Sequence, residues 1–251
     1  MTLATTGIVN LVLWTYEQTL EWRKKVSPWM VKQVLKSAKY SWRRVRRSLK
    51  SQRDKGLFEF FQTELTHLYA EAEKGLIRLW FYDESGFNLN PNAVYAWLPP
   101  HEDAKELFLP AQRGSVITLA GFLGYDNTLE AYSQKGPMTS ESFIAFTEDF
   151  ISHHIADIAD ESPVKNIVVF DNASFHTSIM VKHKMVEWKK KNLFFQSLPA
   201  YSSELNRVEI LWKMMKHQWL EIKDYQSAKS LESAVINIIQ MFGTKYSINF
   251  S

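Results

Sequence analysis

Apolar residues run almost unbroken through 76–87, LIRLWFYDESGF, a pattern that fits a strand buried on both faces and ending at Asp83. NAVYAWL (92–98) and SVITLAGFLG (115–124) are two further strands, rich in β-branched and aromatic residues. Over 139–159 the period changes: Thr139 or Ser140 can cap a helix, and Phe143, Phe146, Phe150 and Ile151 recur at helical spacing. A strand NIVVF, a helix from about Ile179 to Lys191, a strand LFFQSL and a helix from about Glu204 to Leu220 follow. This succession predicts a mixed α/β sheet with helices against its faces.

Upstream of the first strand, 57–74 reads as a linking helix that buries Leu57, Phe60, Phe61, Leu65 and Leu68 and ends at Gly75. In SPWMVKQVLKSAKYSW, Ser27 fits an N-cap and Pro28 the first helical position; Met30, Val31, Val34 and Leu35 make an apolar stripe with lysines opposite.

Charge changes the picture most. The net charge is only +3, but residues 21–55 hold 13 Lys and Arg against Glu21 and Asp54, a local +11 that leaves −8 on the other 216 residues. A basic module joined to an acidic body is the electrostatic footprint of a nucleic-acid binder. Lys32 and Lys36 on the helix, and Arg43, Arg44, Arg46 and Arg47 after it, are the expected phosphate contacts; a merely solvated basic helix is the plainer alternative. With no cysteine, disulfides, thiolate nucleophiles and Cys-based zinc sites are excluded. The seven histidines show no close ligand spacing, and His153–His154 reads as a solvated helix end. The apolar start of the chain is too short to span a bilayer and lacks preceding basic residues, so a soluble protein without an export signal is expected.

In open α/β sheets the working groups sit at the carboxyl ends of strands, where Asp83 and Asp171 fall. On the last helix Leu205, Val208, Leu211, Trp212, Met215 and Trp219 form a buried stripe with Glu209 at its edge. Three carboxylates in one crevice repel one another unless a divalent cation joins them. Oxygen ligands suit Mg²⁺ or Mn²⁺, and two ions about 3.5–4 Å apart can activate a nucleophile and stabilise the leaving oxygen of a phosphodiester. Singly, each signal is weak: Asp171 and Asn172 also suit a turn, and Glu204 and Glu209 a helix first turn.

Taken together, DES, DNASFHTS and LPAYSSELNRVEILWKMMK resemble the DDE transposases of the Tc/mariner superfamily, in particular its bacterial insertion-sequence 630 branch. YAW and QRG resemble further signposts of that family, whereas Ser203 and Arg207 stand where it usually shows prolines. The resemblance implies a ribonuclease-H-like mixed sheet flanked by helices, with a small N-terminal helical DNA-binding segment. It divides the chain into a partial helix-turn-helix and basic arm (1–55), a linking helix (56–75) and a catalytic domain (76–251). It implies Asp83, Asp171 and Glu209 as catalytic residues and ligands of two Mg²⁺ (or Mn²⁺) ions, with Asn172, His176 and Asn206 as supporting or substrate-positioning groups. The expected partners are double-stranded DNA, as terminal inverted repeats and target, and a second copy of the chain on DNA; the expected location is the bacterial cytoplasm, at the nucleoid. Two other readings stay open: a DNA-binding remnant without catalysis, and a nuclease of ribonuclease-H type.

Overall fold

The computed structural model describes residues 28–40, 50–91, 117–155, 164–171, 173, 176 and 178–248. The chain divides into two compact units, Met1–Leu49 and Lys50–Ser251. In the first, helix α1 (Pro28–Ser37) carries Lys32 and Lys36 exposed one turn apart, while Val31 and Leu35 are half-buried. Trp29, Met30 and Val34 are exposed, so the predicted apolar stripe is only half in use. Arg43, Arg44, Arg46 and Arg47 lie outside the described residues, as do Asn172, the YAW and QRG signposts and the strand predicted at 92–98.

The second unit begins with α2 (Lys55–Glu73), whose N-cap Asp54 accepts a hydrogen bond from the Leu57 backbone N–H. Its buried face is Leu65, flanked by Phe58, Phe61, Leu68, Tyr69 and Ala72. Leu57 and Phe60, expected inside, are exposed: at about 100° per residue Phe60 falls off the face that Phe58, Phe61 and Leu65 share, and Leu57 stands in the first turn of the helix. Gly75 ends the helix at φ +70, a left-handed turn that glycine adopts without steric cost.

Strands β1 (Ile77–Phe87), β2 (Ile117–Gly124), β3 (Leu129–Gln134), β4 (Lys165–Phe170) and β5 (Leu193–Ser197) form one sheet in the order β3-β2-β1-β4-β5. β1, β2 and β3 pair antiparallel; β1–β4 and β4–β5 pair parallel. The expected mixed α/β sheet is therefore present. β3 was not legible as a strand, because it is an edge strand with no fully buried residue. β1 also runs four residues past the predicted end at Asp83, because β2 stays hydrogen-bonded to it as far as Phe87 after the pairing with β4 has stopped at Phe81.

Alternation along β1 sorts the core into two layers. Leu79 and Phe81 face the side covered by α2, by α5 (Val208–Met214) and by α6 (Ala228–Gln240). Trp80 and Tyr82 face the other, covered by α3 (Ser140–His154) and α4 (Ile179–Lys190). Thr139 and Ser178 cap these two helices through their hydroxyls. The second layer is aromatic: Phe122 stacks on Phe150 at 4.2 Å, and Phe143 and Trp188 are fully buried, each such side chain contributing about 2 kcal/mol or more on burial. The single helix expected from Glu204 to Leu220 is instead a 3-10 turn (Ser203–Leu205), α5, and a π-helical turn (Met215–Trp219). No helix among the described residues is long and apolar enough to cross a membrane.

Candidate active site

Asp83 lies inside β1, on the same face as Leu79 and Phe81. The parallel register pairs Phe81 with Val169, so two residues further on Asp83 comes level with Asp171, the first residue after β4, and on the same face by alternation. α5 covers that face with Val208, Leu211 and Trp212. Across β1, Asp83 is paired with Gly121 of β2. A Cβ at Gly121 would stand 2.9 Å from the Trp212 ring, so its bare backbone makes room for the indole. Trp212 Nε1 donates to Asp83 Oδ2 at 3.1 Å.

The other two carboxylates are held differently. His176, 2% exposed among the rings of Tyr82, Phe143 and Phe170, places Nδ1 3.0 Å from the Asp171 carbonyl oxygen and 3.3 Å from Asp171 Oδ1. The Ala173 N–H donates to the same Oδ1 at 3.0 Å. Glu209 sits in the first turn of α5 with its flank open to solvent, as its place at the edge of the buried stripe predicts. Lys216, two turns on, donates to Ser85 Oγ at 2.7 Å. Asn206, buried just before α5, donates to the Tyr82 carbonyl at 2.8 Å and so ties the start of the helix to the strand residue before Asp83.

Burial and neighbouring charges act on these groups together. Burial pushes the Asp83 carboxyl up to about 8, and the charges of Glu209, Glu84 and Asp171 add to the shift. Burial raises Glu84 to about 7, against the pull of His176. Glu209 is raised by partial burial and by Asp171, with Lys216 opposing. Burial acts upward on Asp171 too, but the His176 and Ala173 hydrogen bonds outweigh it and hold this carboxyl low. Lys216 is lowered by burial, with Glu209 and Asp83 opposing.

Trp212 and Lys216 are the site residues that sequence reasoning missed; Glu84, which alternation turns to the opposite face with Trp80 and Tyr82, is a charged neighbour of Asp171 and His176. Glu84 was visible only as part of DES; its Oε2 is buried without a hydrogen-bond partner among the described residues. Trp212 was legible as core, and Trp212 and Lys216 follow Glu209 at helical spacing, but nothing local shows that the indole N–H meets an aspartate 129 positions earlier. A different acidic group draws closer together: ligand atoms of Glu130, Asp149 and His153 all lie within 4.8 Å of one another, a separation that Asp83, Asp171 and Glu209 do not share as a trio. The Glu130 group belongs to β3 and α3, away from the face that carries Asp83. His153 is an exposed helix end as expected, yet it is also an ion-pair partner of Asp149, which the i,i+4 spacing could have shown.

A mixed five-stranded sheet with helices on both faces and acidic groups where the parallel pairing ends defines a ribonuclease-H-like domain. Residues 78–232 match the DDE superfamily endonuclease family, and the chain belongs to it. No curated protein matches the chain in sequence. Its fold is that of the mariner-type DDE transposases. It superposes on the Mos1 mariner paired end complex with Mn with a TM-score of 0.57 and 16% identity, over 98% of this chain and 73% of that one. The Mos1 strand transfer complex gives 0.54 and 15%, over 98% and 72%.

Proposed function

We propose that the chain is a transposase that binds terminal inverted repeats, nicks DNA with water and then joins the freed 3′-hydroxyl to target DNA, with Asp83, Asp171 and Glu209 as its catalytic carboxylates. The observation that carries this reading is the level placement of Asp83 and Asp171 on one face beneath the helix of Glu209, with the Asp83 carboxyl pushed up to about 8 by burial and its neighbours. A set of mutually repelling carboxylate oxygens, with Asp83 buried and Asp171 and Glu209 open to solvent, fits hard divalent cations, here Mg²⁺ or Mn²⁺ and two in number. Asp83, Asp171 and Glu209 would hold such ions, which would supply activation of the attacking oxygen and stabilisation of the leaving one.

The remaining chemistry belongs to the chain. Trp212 fixes one oxygen of Asp83 and leaves the other for the site. His176 and the Ala173 N–H set the rotation of the Asp171 carboxylate. Lys216 places a cation beside the carboxylates, where it offsets part of their negative charge. Both displacements at phosphorus run in line, so one arrangement of residues serves cleavage and joining. Residues 1–55 act as the DNA-binding segment, α2 as the link and 76–251 as the catalytic domain, and the protein works as a homodimer on DNA. The +11 of residues 21–55 is the supporting observation for DNA contact.

The test is nicking and joining of a labelled plasmid that carries the DNA bordering the coding sequence, with Mg²⁺, Mn²⁺ and Ca²⁺ in parallel. Cleavage with Mg²⁺ or Mn²⁺, absent with Ca²⁺ and followed by joined product, is expected. Binding without cleavage under any metal points to a DNA-binding protein alone, and cleavage without joining to a nuclease.

A further inference from the structure

The guanidinium of Arg207 is enclosed by three rings. Its central carbon lies 4.8 Å from the ring centre of Tyr125, 5.6 Å from Tyr69 and 6.0 Å from Phe81. The rings come from three places: α2, β1 and the turn between β2 and β3. Tyr69 packs on Tyr125 at 5.6 Å and on Phe81 at 6.1 Å, and the Tyr125 hydroxyl donates to Glu73 Oε1 at 2.7 Å. The walls of the cage thus hold one another, and the cation enters a prepared space.

Arg207 opens α5, and no side chain caps this helix start. Glu209 follows two residues later, about 200° around the helix, so a grip on Arg207 from the α2 side fixes the turn from which Glu209 projects the other way. Asn206 ties the chain just before α5 to β1, Trp212 and Lys216 anchor it further along, and Arg207 adds the contact toward α2. We propose that Arg207 is a positioning residue: its aromatic cage holds the first turn of α5 and so sets the place of the Glu209 carboxylate relative to Asp83. The proposal rests on Glu209 being the third catalytic carboxylate.

A rival explanation is available on the same backbone. Arg207 has φ −61, which suits proline, and Asn206 at φ −93, ψ 109 has the conformation a residue before proline prefers. Arg207→Pro therefore suits the helix start and removes the cation, whereas Arg207→Lys keeps a cation within reach of the rings. The two variants separate a role of the cage from simple stiffness of the chain.

The experiment measures the Mn²⁺ concentration for half-maximal nicking, together with kcat at saturating Mn²⁺, duplex affinity and the thermal midpoint. Arg207→Ala and Arg207→Pro are expected to raise the half-saturating Mn²⁺ about tenfold, the effect of one partly desolvated cation–ring contact, with duplex affinity unchanged. Arg207→Lys should recover to within about threefold of the unmodified chain, and Tyr125→Leu, which removes one wall and leaves Arg207 in place, should shift the metal requirement about threefold. Wild-type behaviour of Arg207→Pro would overturn the proposal by assigning the position to backbone stiffness. So would Arg207→Lys as poor as Arg207→Ala, or a thermal midpoint that falls while the metal requirement stays constant. Failure of the unmodified protein to nick with any metal would instead bring down the catalytic reading, and this inference with it.

Discussion

Two acidic groups project from different parts of the same sheet, and the tighter of them is the less promising. Glu130 and Asp149 each have a histidine partner close by: His154 Nε2 lies 2.8 Å from Glu130 Oε2, and His153 Nδ1 lies 3.4 Å from Asp149 Oδ2. Their side chains are 26% and 50% exposed, so water screens their charge. Asp83 is 8% exposed, receives an indole N–H in place of a cation, and has Glu84, Asp171 and Glu209 acting on it. Convergence of oxygens is common on protein surfaces; burial of carboxylates that raise one another's proton affinity is costly and survives where something else uses it. Burial and repulsion at Asp83, more than proximity of oxygens, distinguish the group that we assign to the chemistry.

The sharpest way to break this contrast is to neutralise one member of each group. Glu209→Gln and Asp171→Asn should each lower metal-dependent nicking by on the order of a thousandfold, several kcal/mol of barrier, while duplex binding stays nearly intact. Glu130→Gln and Asp149→Asn should leave the rate within about twofold. Initial rates on one labelled duplex decide the matter, and a large loss in the Glu130 variant would reverse the assignment.

Removing the partner of Asp83 comes next. Trp212→Phe keeps a ring over Gly121 but deletes the N–H, so the metal requirement should rise about tenfold or more, as for other groups that orient a ligand. A metal titration of the nicking rate measures it.

The pH dependence of stability follows in size. Without metal, native Asp83 titrates near 8 and Glu84 near 7, whereas in the unfolded chain both release their protons in the ordinary carboxylate range. Between these limits the native state binds more protons, so the contribution of these groups is full at low pH and is lost as pH rises toward 8. Thermal midpoints in EDTA should therefore fall from pH 5 to pH 8, and Mn²⁺ should flatten the decline because it replaces the protons. A flat profile in EDTA would show that burial and mutual repulsion do not raise these two carboxyls. The smallest effect belongs to the exposed group: His153→Ala should change stability by about 0.5 kcal/mol or less at pH 7, a shift of one to two degrees in the midpoint at most.

Much of this was readable along the chain because it is local. Apolar runs marked β1, β2, β4 and β5; capping residues and helical spacing marked α3; the segments around Asp83, Asp171 and Glu209 carried the family resemblance. Side-chain direction in a strand or helix depends only on position in the repeat, so Glu209 could be placed at the edge of its stripe before any fold was known. Other features needed partners far apart in sequence. β3 exists as a strand because β2 offers its edge, and Asp83 stands level with Asp171 because of the β1–β4 register. The indole of Trp212 reaches Asp83 because Gly121 leaves a gap, and Arg207 has a role because three rings from separate elements close around it. Local sequence determined which residue types lie on which face of each element; register and packing decided which of them meet, since those contacts form only when distant strands and helices are brought together.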